Sequence, residues 1–193
     1  MDKNSLMDSQ SITITTAQVL DLYAAGRRDF SQFDFHEAWM PGVALPGINL
    51  SQANLGSANL GSANLSGATL SSCNLWRASL AGASLRGANL ARTVMIRAEL
   101  SRVDLTEANL RCSDLRLANL RLATLRHADL RHADLSYTDL YGADLTAADL
   151  RGANLTGANL RSVNLAIARL EGAHLDRAWL DAAPQPPELS STY

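Results

Sequence analysis

Residues 126–145 read RHADLRHADLSYTDLYGADL. In isolation the stretch looks like a catalytic or metal cluster, with two His, two Arg, four Asp and two Tyr in twenty residues. Its spacing points elsewhere, because Leu130, Leu135, Leu140 and Leu145 recur at every fifth position. Outward from there the same step runs from Phe30 to Leu180 without a slip, giving 31 consecutive pentapeptides centred on 27 Leu, two Phe and two Met. An α-helix cannot use this pattern, because five steps of about 100° place successive leucines about 140° apart around the axis. A flat strand fails as well, since an odd step sends successive leucines to opposite faces. A chain that turns within every five residues brings each Leu to a common axis, and the product is a solenoid.

The other positions agree. With the central residue called i, position i−2 is Ala in 21 of the 31 repeats and otherwise mostly small or apolar, as at Val43, Ile48, Cys73, Thr93 and Val103. In extended backbone i−2 and i share a side, so both face inward while i−1, i+1 and i+2 face out. Nine of the twelve glycines fall at i+2. Pro41-Gly42 and Pro46-Gly47 read as type II turns, in which Pro fixes φ at about −65° and Gly supplies φ > 0. These dipeptides place the corner between i and the next i−2.

Repeats such as SQANL (51–55), GSANL (56–60), RGANL (86–90) and YGADL (141–145) have the form A(N/D)LXX, and over residues 28–182 the chain resembles the pentapeptide repeat family. The resemblance implies an all-β solenoid, a right-handed quadrilateral β-helix with four pentapeptides to a coil. The period alone yields neither the four sides nor the hand. On that fold the 31 repeats make nearly eight coils, a rod roughly 37 Å long at about 4.8 Å per coil.

A β-helix exposes unpaired backbone at each end, so both ends need a cap. Residues 14–30, ITTAQVLDLYAAGRRDF, carry a helix signature: Thr15 as N-cap with Gln18 three residues on, Val19, Leu20, Leu22 and Tyr23 as an apolar set, and Gly26 as the stop. The expectation is a short α-helical cap over about 16–25, and the stretch resembles the N-terminal caps of cyanobacterial pentapeptide proteins. Residues 1–13 are polar and expected to be mobile, which divides the chain into an N-terminal cap (1–27), the β-helix (28–182) and a Pro-rich tail (183–193). The sequence DAAPQPPELSSTY, residues 181–193, holds three prolines that cannot extend a ladder. Two readings stay open there: the tail folds over Trp179 and Leu180, or the last coil pairs with a second copy, as the resemblance implies for many members.

The formal charge is −2, from 17 basic and 19 acidic residues, so no global field steers the chain toward nucleic acid or an anionic membrane. No apolar run approaches the eighteen or so residues of a membrane span, and no leader pattern is seen. Two cysteines suit a reducing compartment, and the expected setting is cytoplasmic.

With four repeats per coil, residues twenty apart stack, and the surface reads in columns. Arg111, Arg116, Arg121 and Arg126 stand at i+1 on all four faces of one coil; Arg111, Arg131 and Arg151 form a ladder. This belt, with Tyr137 and Tyr141, is the candidate partner surface. Beside it runs a set of i−1 acids, Asp129, Asp134, Asp139, Asp144 and Asp149. Diagonal neighbours on paired strands lie about 7–8 Å apart, so Arg111 can meet Asp129 and Arg131 can meet Asp149, and a solvated ion-pair lattice is the competing reading. His127 and His132 stand on adjacent corners, which opposes shared metal ligation, and Cys112 beneath His132 lacks a closed ligand shell. Cofactors are not expected.

A Leu- and Ala-filled interior with a convex surface offers no pocket that shields a nucleophile from water, so an enzyme is not expected. The resemblance implies a second possibility, a DNA-mimicking modulator of a type II topoisomerase. The arginine belt and the lack of projecting loops speak against it. Nucleic-acid binding is not expected. The favoured reading is a non-catalytic, regulatory protein–protein interaction module that presents flat faces to a protein partner.

Overall fold

Among the described residues every β-bridge joins residues twenty apart in parallel, from Asp29–Asn49 to Asn159–Trp179, so the chain closes a coil after four pentapeptides. The computed structural model describes residues 14–181. The expected mobile segment 1–13 and the Pro-rich tail 183–193 lie outside the described residues.

Each repeat is held by the same few bonds. In the repeat centred on Leu100, its N–H donates to the Asn119 carbonyl (2.8 Å), the Arg102 N–H to Arg121 O (2.9 Å), and the Asn119 N–H returns to Ala98 O (3.0 Å). A further bond from Ala98 N–H to Met95 O (3.0 Å) closes the corner as a β-turn. Coils are thus tied together on all four sides by bonds running along the rod. That leaves the side chains at i and i−2 no direction but inward: from Leu45 to Leu160 no central residue is more than 2 % exposed. Inward hydroxyls find local acceptors, Thr93 and Ser113 on the Leu90 and Leu110 carbonyls (both 2.7 Å) and Thr138 on Leu115 O (2.9 Å).

The corners are where the structure exceeds the expectation. The Pro-Gly turns are type II as read from the sequence, but so is nearly every other corner. The i+2 residue has φ between +55° and +72° at nine glycines and also at twenty non-glycine residues, among them Arg97, Leu117 and Tyr137. A side chain in this left-handed region costs on the order of 1 kcal/mol or more. The repeated inter-coil bonds and the buried leucines offset it. One corner defaults. Ile167, the single β-branched residue among the i+2 positions, does not adopt positive φ, as expected for a residue that crowds its own backbone there. Among the described residues the Asp144–Asn164 bridge is missing, while the bridges on the other three sides continue.

Helix α1 (Thr16–Ala24) covers the N-terminal end. Thr15 and Gln18 form the expected capping box, and Gly26 follows at φ +97°. Val19 is buried against the first coil, the Thr16 hydroxyl donates to Trp39 O (2.9 Å), and the Tyr23 hydroxyl to Pro46 O (2.6 Å). At the opposite end the leucines lose cover: Leu165, Leu170 and Leu175 are half-buried, and Leu180 is 53 % exposed.

The two cysteines are separated by this geometry. Cys73 points inward and donates to Leu50 O, and burial pushes its thiol up to about 12, whereas Cys112 lies exposed on a corner. Native protein treated with iodoacetamide at pH 8 is expected to take up one equivalent, on Cys112, and a second only in denaturant, as read by peptide mass spectrometry.

Candidate functional site

The surface chemistry begins at i−1. An Asn or Asp there turns its Oδ1 over the following corner and accepts from the i+1 N–H, as Asp134 does from Ser136 (2.9 Å) and Asn54 from Gly56 (3.2 Å). Where an Asn stands over another Asn or an acid, its Nδ2 also donates to the coil before it: Asn54 to Asp34 (2.9 Å), Asn74 to Asn54 (3.0 Å), Asn109 to Asn89 (3.0 Å). Asp149 stands over Asp129 and Asp134 over Asp114, and these stacks have no amide to give. Like charges opposed on adjacent strands repel. The arginines sit where that repulsion arises.

Arg116, Arg131 and Arg151 each fold back on the carboxylate of their own repeat in a two-point grip, Arg116 on Asp114 (2.8 and 2.8 Å), Arg131 on Asp129 (2.8 and 2.6 Å) and Arg151 on Asp149 (2.8 and 2.6 Å). Arg86, Arg121 and Arg126 instead reach the next coil, to Asp104, Asp139 and Asp144 at 3.1–3.2 Å. The two expected diagonal pairs form as longer contacts, Arg111–Asp129 at 3.9 Å and Arg131–Asp149 at 3.7 Å. Every arginine of the candidate belt, Arg111, Arg116, Arg121, Arg126, Arg131 and Arg151, therefore has a carboxylate partner. Nor do they converge: four of them are spread over four sides, and only Arg111, Arg131 and Arg151 share one.

The hydrogen bond from Arg151 holds the Asp149 carboxyl at about 2, against the opposing effect of burial, and Arg131 likewise holds Asp129 below its ordinary value. A carboxyl depressed in the folded state stabilises the fold above its unfolded value of about 3.9, and that contribution is lost as protons fill it on the way down. The melting temperature is expected to fall between about pH 4 and pH 2, and less steeply in Asp149→Asn, by circular dichroism melts across that range.

A second set of arginines behaves differently. Arg77, Arg92, Arg97 and Arg102 stand at i+2, on the left-handed corner residue itself, and form no ion pair among the described residues. An i+1 side chain lies alongside the i−1 carboxylates; an i+2 side chain leaves the corner and points away from them. Arg97 lines a shallow groove of about 440 Å³ together with Trp76, Ile96, Arg116, Leu117 and Tyr137, and Arg77 stacks on its Trp76. Sequence reasoning placed Arg116 and Tyr137 among the contacts but missed the rest of this groove. The signal was available in the column arithmetic, since 77, 97, 117 and 137 share one corner.

Of the two candidate tyrosines, Tyr137 is 57 % exposed and lies over Gly157, where a Cβ would meet its ring at 2.6 Å. Tyr141 is on another side, under the Arg121 guanidinium at 4.5 Å. His132 leans over Gly152 in the same manner as Tyr137. Among the described residues no group of three or more His, Cys, Asp and Glu is placed to hold a metal ion. Trp179 and Leu180, the candidate cap or dimer contacts, are 60 % and 53 % exposed, with Arg161 over the indole at 5.4 Å. Contact of the tail with them lies outside the described residues. Among the described residues no helix is long and apolar enough to cross a membrane.

The sequence matches the family described as Pentapeptide repeats, in eight copies, over residues 48–87, 63–98, 73–111, 98–136 and 138–177. Among solved structures it is similar to HetL, a pentapeptide repeat protein involved in heterocyst differentiation regulation from the cyanobacterium Nostoc sp. strain PCC 7120, with 30% identity over 86% of this chain and 95% of that one and a TM-score of 0.35. The pentapeptide repeat protein alr5209 from Nostoc PCC 7120 is 34% identical over 65% of this chain and 84% of its own, TM-score 0.41. A trypsin-treated form of QnrB1, a plasmid-mediated fluoroquinolone resistance protein, is 21% identical over 79% and 77% of the two chains, TM-score 0.56, a likeness of fold. No curated protein matches the sequence closely enough to count as a relative. Because the matched segments span most of the rod and each coil closes after four repeats, the chain belongs to the pentapeptide repeat family, and its rod is a right-handed quadrilateral β-helix.

Proposed function

We propose that the chain is a non-catalytic, regulatory protein–protein interaction module that presents the faces of its β-helix to a protein partner. The observation that supports this most directly is the unbroken series of five-residue repeats, which builds flat sides around a solid Leu and Ala core with no looped-out segment. Such a rod supplies rigid area and no enclosed volume in which chemistry is shielded from water. The surface assigned to the partner is the belt of Arg111, Arg116, Arg121, Arg126, Arg131 and Arg151 with Tyr137 and Tyr141. Its ion pairs are solvated and individually weak, so a partner's carboxylates exchange with the resident ones at little cost. A cytoplasmic setting fits two thiols that form no disulfide. No cofactor enters this reading, nor does nucleic acid or a membrane surface.

The exposed Trp179 and Leu180, above a terminal coil of half-buried leucines, support a homodimer through the C-terminal end. Sedimentation equilibrium of the full chain and of Leu180→Asp tests it, with a monomer in both cases rejecting the idea. For the partner surface, the test is affinity capture from the native cell with wild type and with the belt variants Arg121→Gln/Tyr141→Ser and Arg126→Gln/Arg151→Gln. Loss of specific partners supports the surface, and an unchanged partner set removes it.

The alternative, modulation of a type II topoisomerase by DNA mimicry, draws on the acids Asp129 to Asp149 and on the fold shared with QnrB1. Each of those acids except Asp134 is paired with an arginine, so the continuous negative track that a mimic needs is interrupted. A gyrase supercoiling assay with and without a fluoroquinolone is expected to show no protection.

A further inference from the structure

We propose that the corner running from Trp76 to Tyr137 is a docking groove for an extended, acidic peptide segment of a partner protein that carries apolar side chains. The proposal rests on the reading of the chain as an interaction module and assigns it a corner that shares only Arg116 and Tyr137 with the belt surface, with a stated ligand chemistry.

The corner shows an apolar strip where a solvated rod has no need of one. Trp76 is 39 % exposed, Leu117 48 % and Tyr137 57 %, and Ile96 lines the space between them. Val94, 38 % exposed, flanks the strip on the neighbouring side. From Trp76 to Tyr137 the strip climbs three coils, roughly 14 Å. A strand-like peptide advances about 6.6 Å between residues facing the same way, so two or three alternate side chains meet the strip. The walls are set: Arg77 stacks on Trp76 at 5.1 Å, Tyr137 rests on Gly157, and Arg116 is gripped by Asp114. A preorganised groove loses little entropy on binding.

Charge selects the ligand. Arg77 and Arg97 on this corner and Arg92 and Arg102 on the corners to either side are the arginines of mid-rod without a carboxylate, among the described residues. A peptide with carboxylates beside its apolar side chains supplies both missing partners at once. A polynucleotide fits less well: Asp114 and Asp134 stand next to the groove residues Arg116 and Ser136, in one column with Val94, and phosphate tracks want cations in a continuous run.

The test is fluorescence anisotropy with the full-length protein and labelled octapeptides with Ser at every second position, so that the residues between them share one face of the strand: there Leu and Asp take turns in the Asp–Leu probe, Ser replaces Leu in the Asp–Ser probe and Lys replaces Asp in the Lys–Leu probe, beside an eight-nucleotide single-stranded DNA. The Asp–Leu probe is expected to bind at least about tenfold more tightly than the other three, and to lose about tenfold or more in Leu117→Ser and in Arg97→Glu. Serine at 57, 62 and 72 and glutamate at 37 and 107 already occupy left-handed corners, so both variants are expected to keep the fold. Arg177→Glu, on the same corner but two coils beyond Leu117→Ser's neighbour Tyr137, is the control and keeps wild-type binding. Equal binding of Asp–Leu, Asp–Ser and DNA probes, no measurable binding of Asp–Leu, or indifference to both groove variants overturns the proposal. Self-association abolished by Leu117→Ser assigns the strip to a second copy and overturns it as well. If the groove fails while capture with the belt variants still changes the partner set, the interaction module stands and only this surface is lost.

Discussion

Ala108→Leu is expected to cost the protein at least about 3 kcal/mol, lowering the melting temperature by roughly 6–12 °C, more than any surface change considered for this chain. Ala108 is 1 % exposed and stands in an inward column with Ala88, Ala128 and Ala148, each 1 % exposed or less. The coils above and below are clamped by the bonds Asn109 N–H to Ala88 O and Asp129 N–H to Ala108 O, both 2.9 Å, so the backbone cannot part to admit three more carbons. Leu110→Ala, the converse change two residues on, opens a cavity at a 0 % exposed site and is expected to cost about 2–5 kcal/mol. The double variant keeps the total volume. If volume alone mattered it would approach wild type; because i reaches the axis and i−2 does not, it is expected to melt no higher than either single change. Thermal and urea denaturation of the three variants checks this.

The second large effect concerns the corners. Ser62→Val places a β-branched residue at φ +56° and is expected to break the Ser62 N–H to Ala81 O bond, now 2.8 Å, at a cost of about 1–3 kcal/mol. Ile167→Gly is the same experiment in reverse, expected to restore the missing Asp144–Asn164 rung and raise the melting temperature by a few degrees. Amide exchange reads both directly: protection is lost at residue 62 in the first variant and gained at Leu145 in the second. If Ile167→Gly leaves exchange at Leu145 unchanged, the defect there has a cause other than the β-branched side chain.

Much of this was legible in the sequence because the architecture is set by a period, and a period survives local variation. The five-residue step located the inward Leu and Ala columns, and the Thr15–Gln18 spacing located helix α1. The twenty-residue stacking placed Arg111 near Asp129 and Arg131 near Asp149. What the step did not reveal was the conformation of each corner. Pro41-Gly42 announces a left-handed residue, whereas Arg97 or Leu117 does not, and the fold imposes it on them all the same. That difference decides the charges. Arg116 at i+1 lies beside Asp114 and is neutralised by it; Arg97 at i+2 is turned off the side of the rod and keeps its charge. Reading the surface by columns picks out the i+1 arginines on all four faces, which draws attention to the belt, where the cations are already matched, and away from the Trp76 corner.

The closure of each coil after twenty residues also makes the rod a device with a phase. Loss or gain of four whole pentapeptides lengthens or shortens it while every column beyond the join keeps its bearing. Loss of a single pentapeptide between Arg97 and Leu117 would leave the core intact, Leu for Leu and Ala for Ala, yet turn the whole distal half by a quarter of a revolution. Tyr137 would then face a side away from Trp76. Stability is therefore indifferent to repeat number in units of five, while the surface is defined only in units of twenty, and drift in the number of repeats can erase a binding edge without unfolding anything.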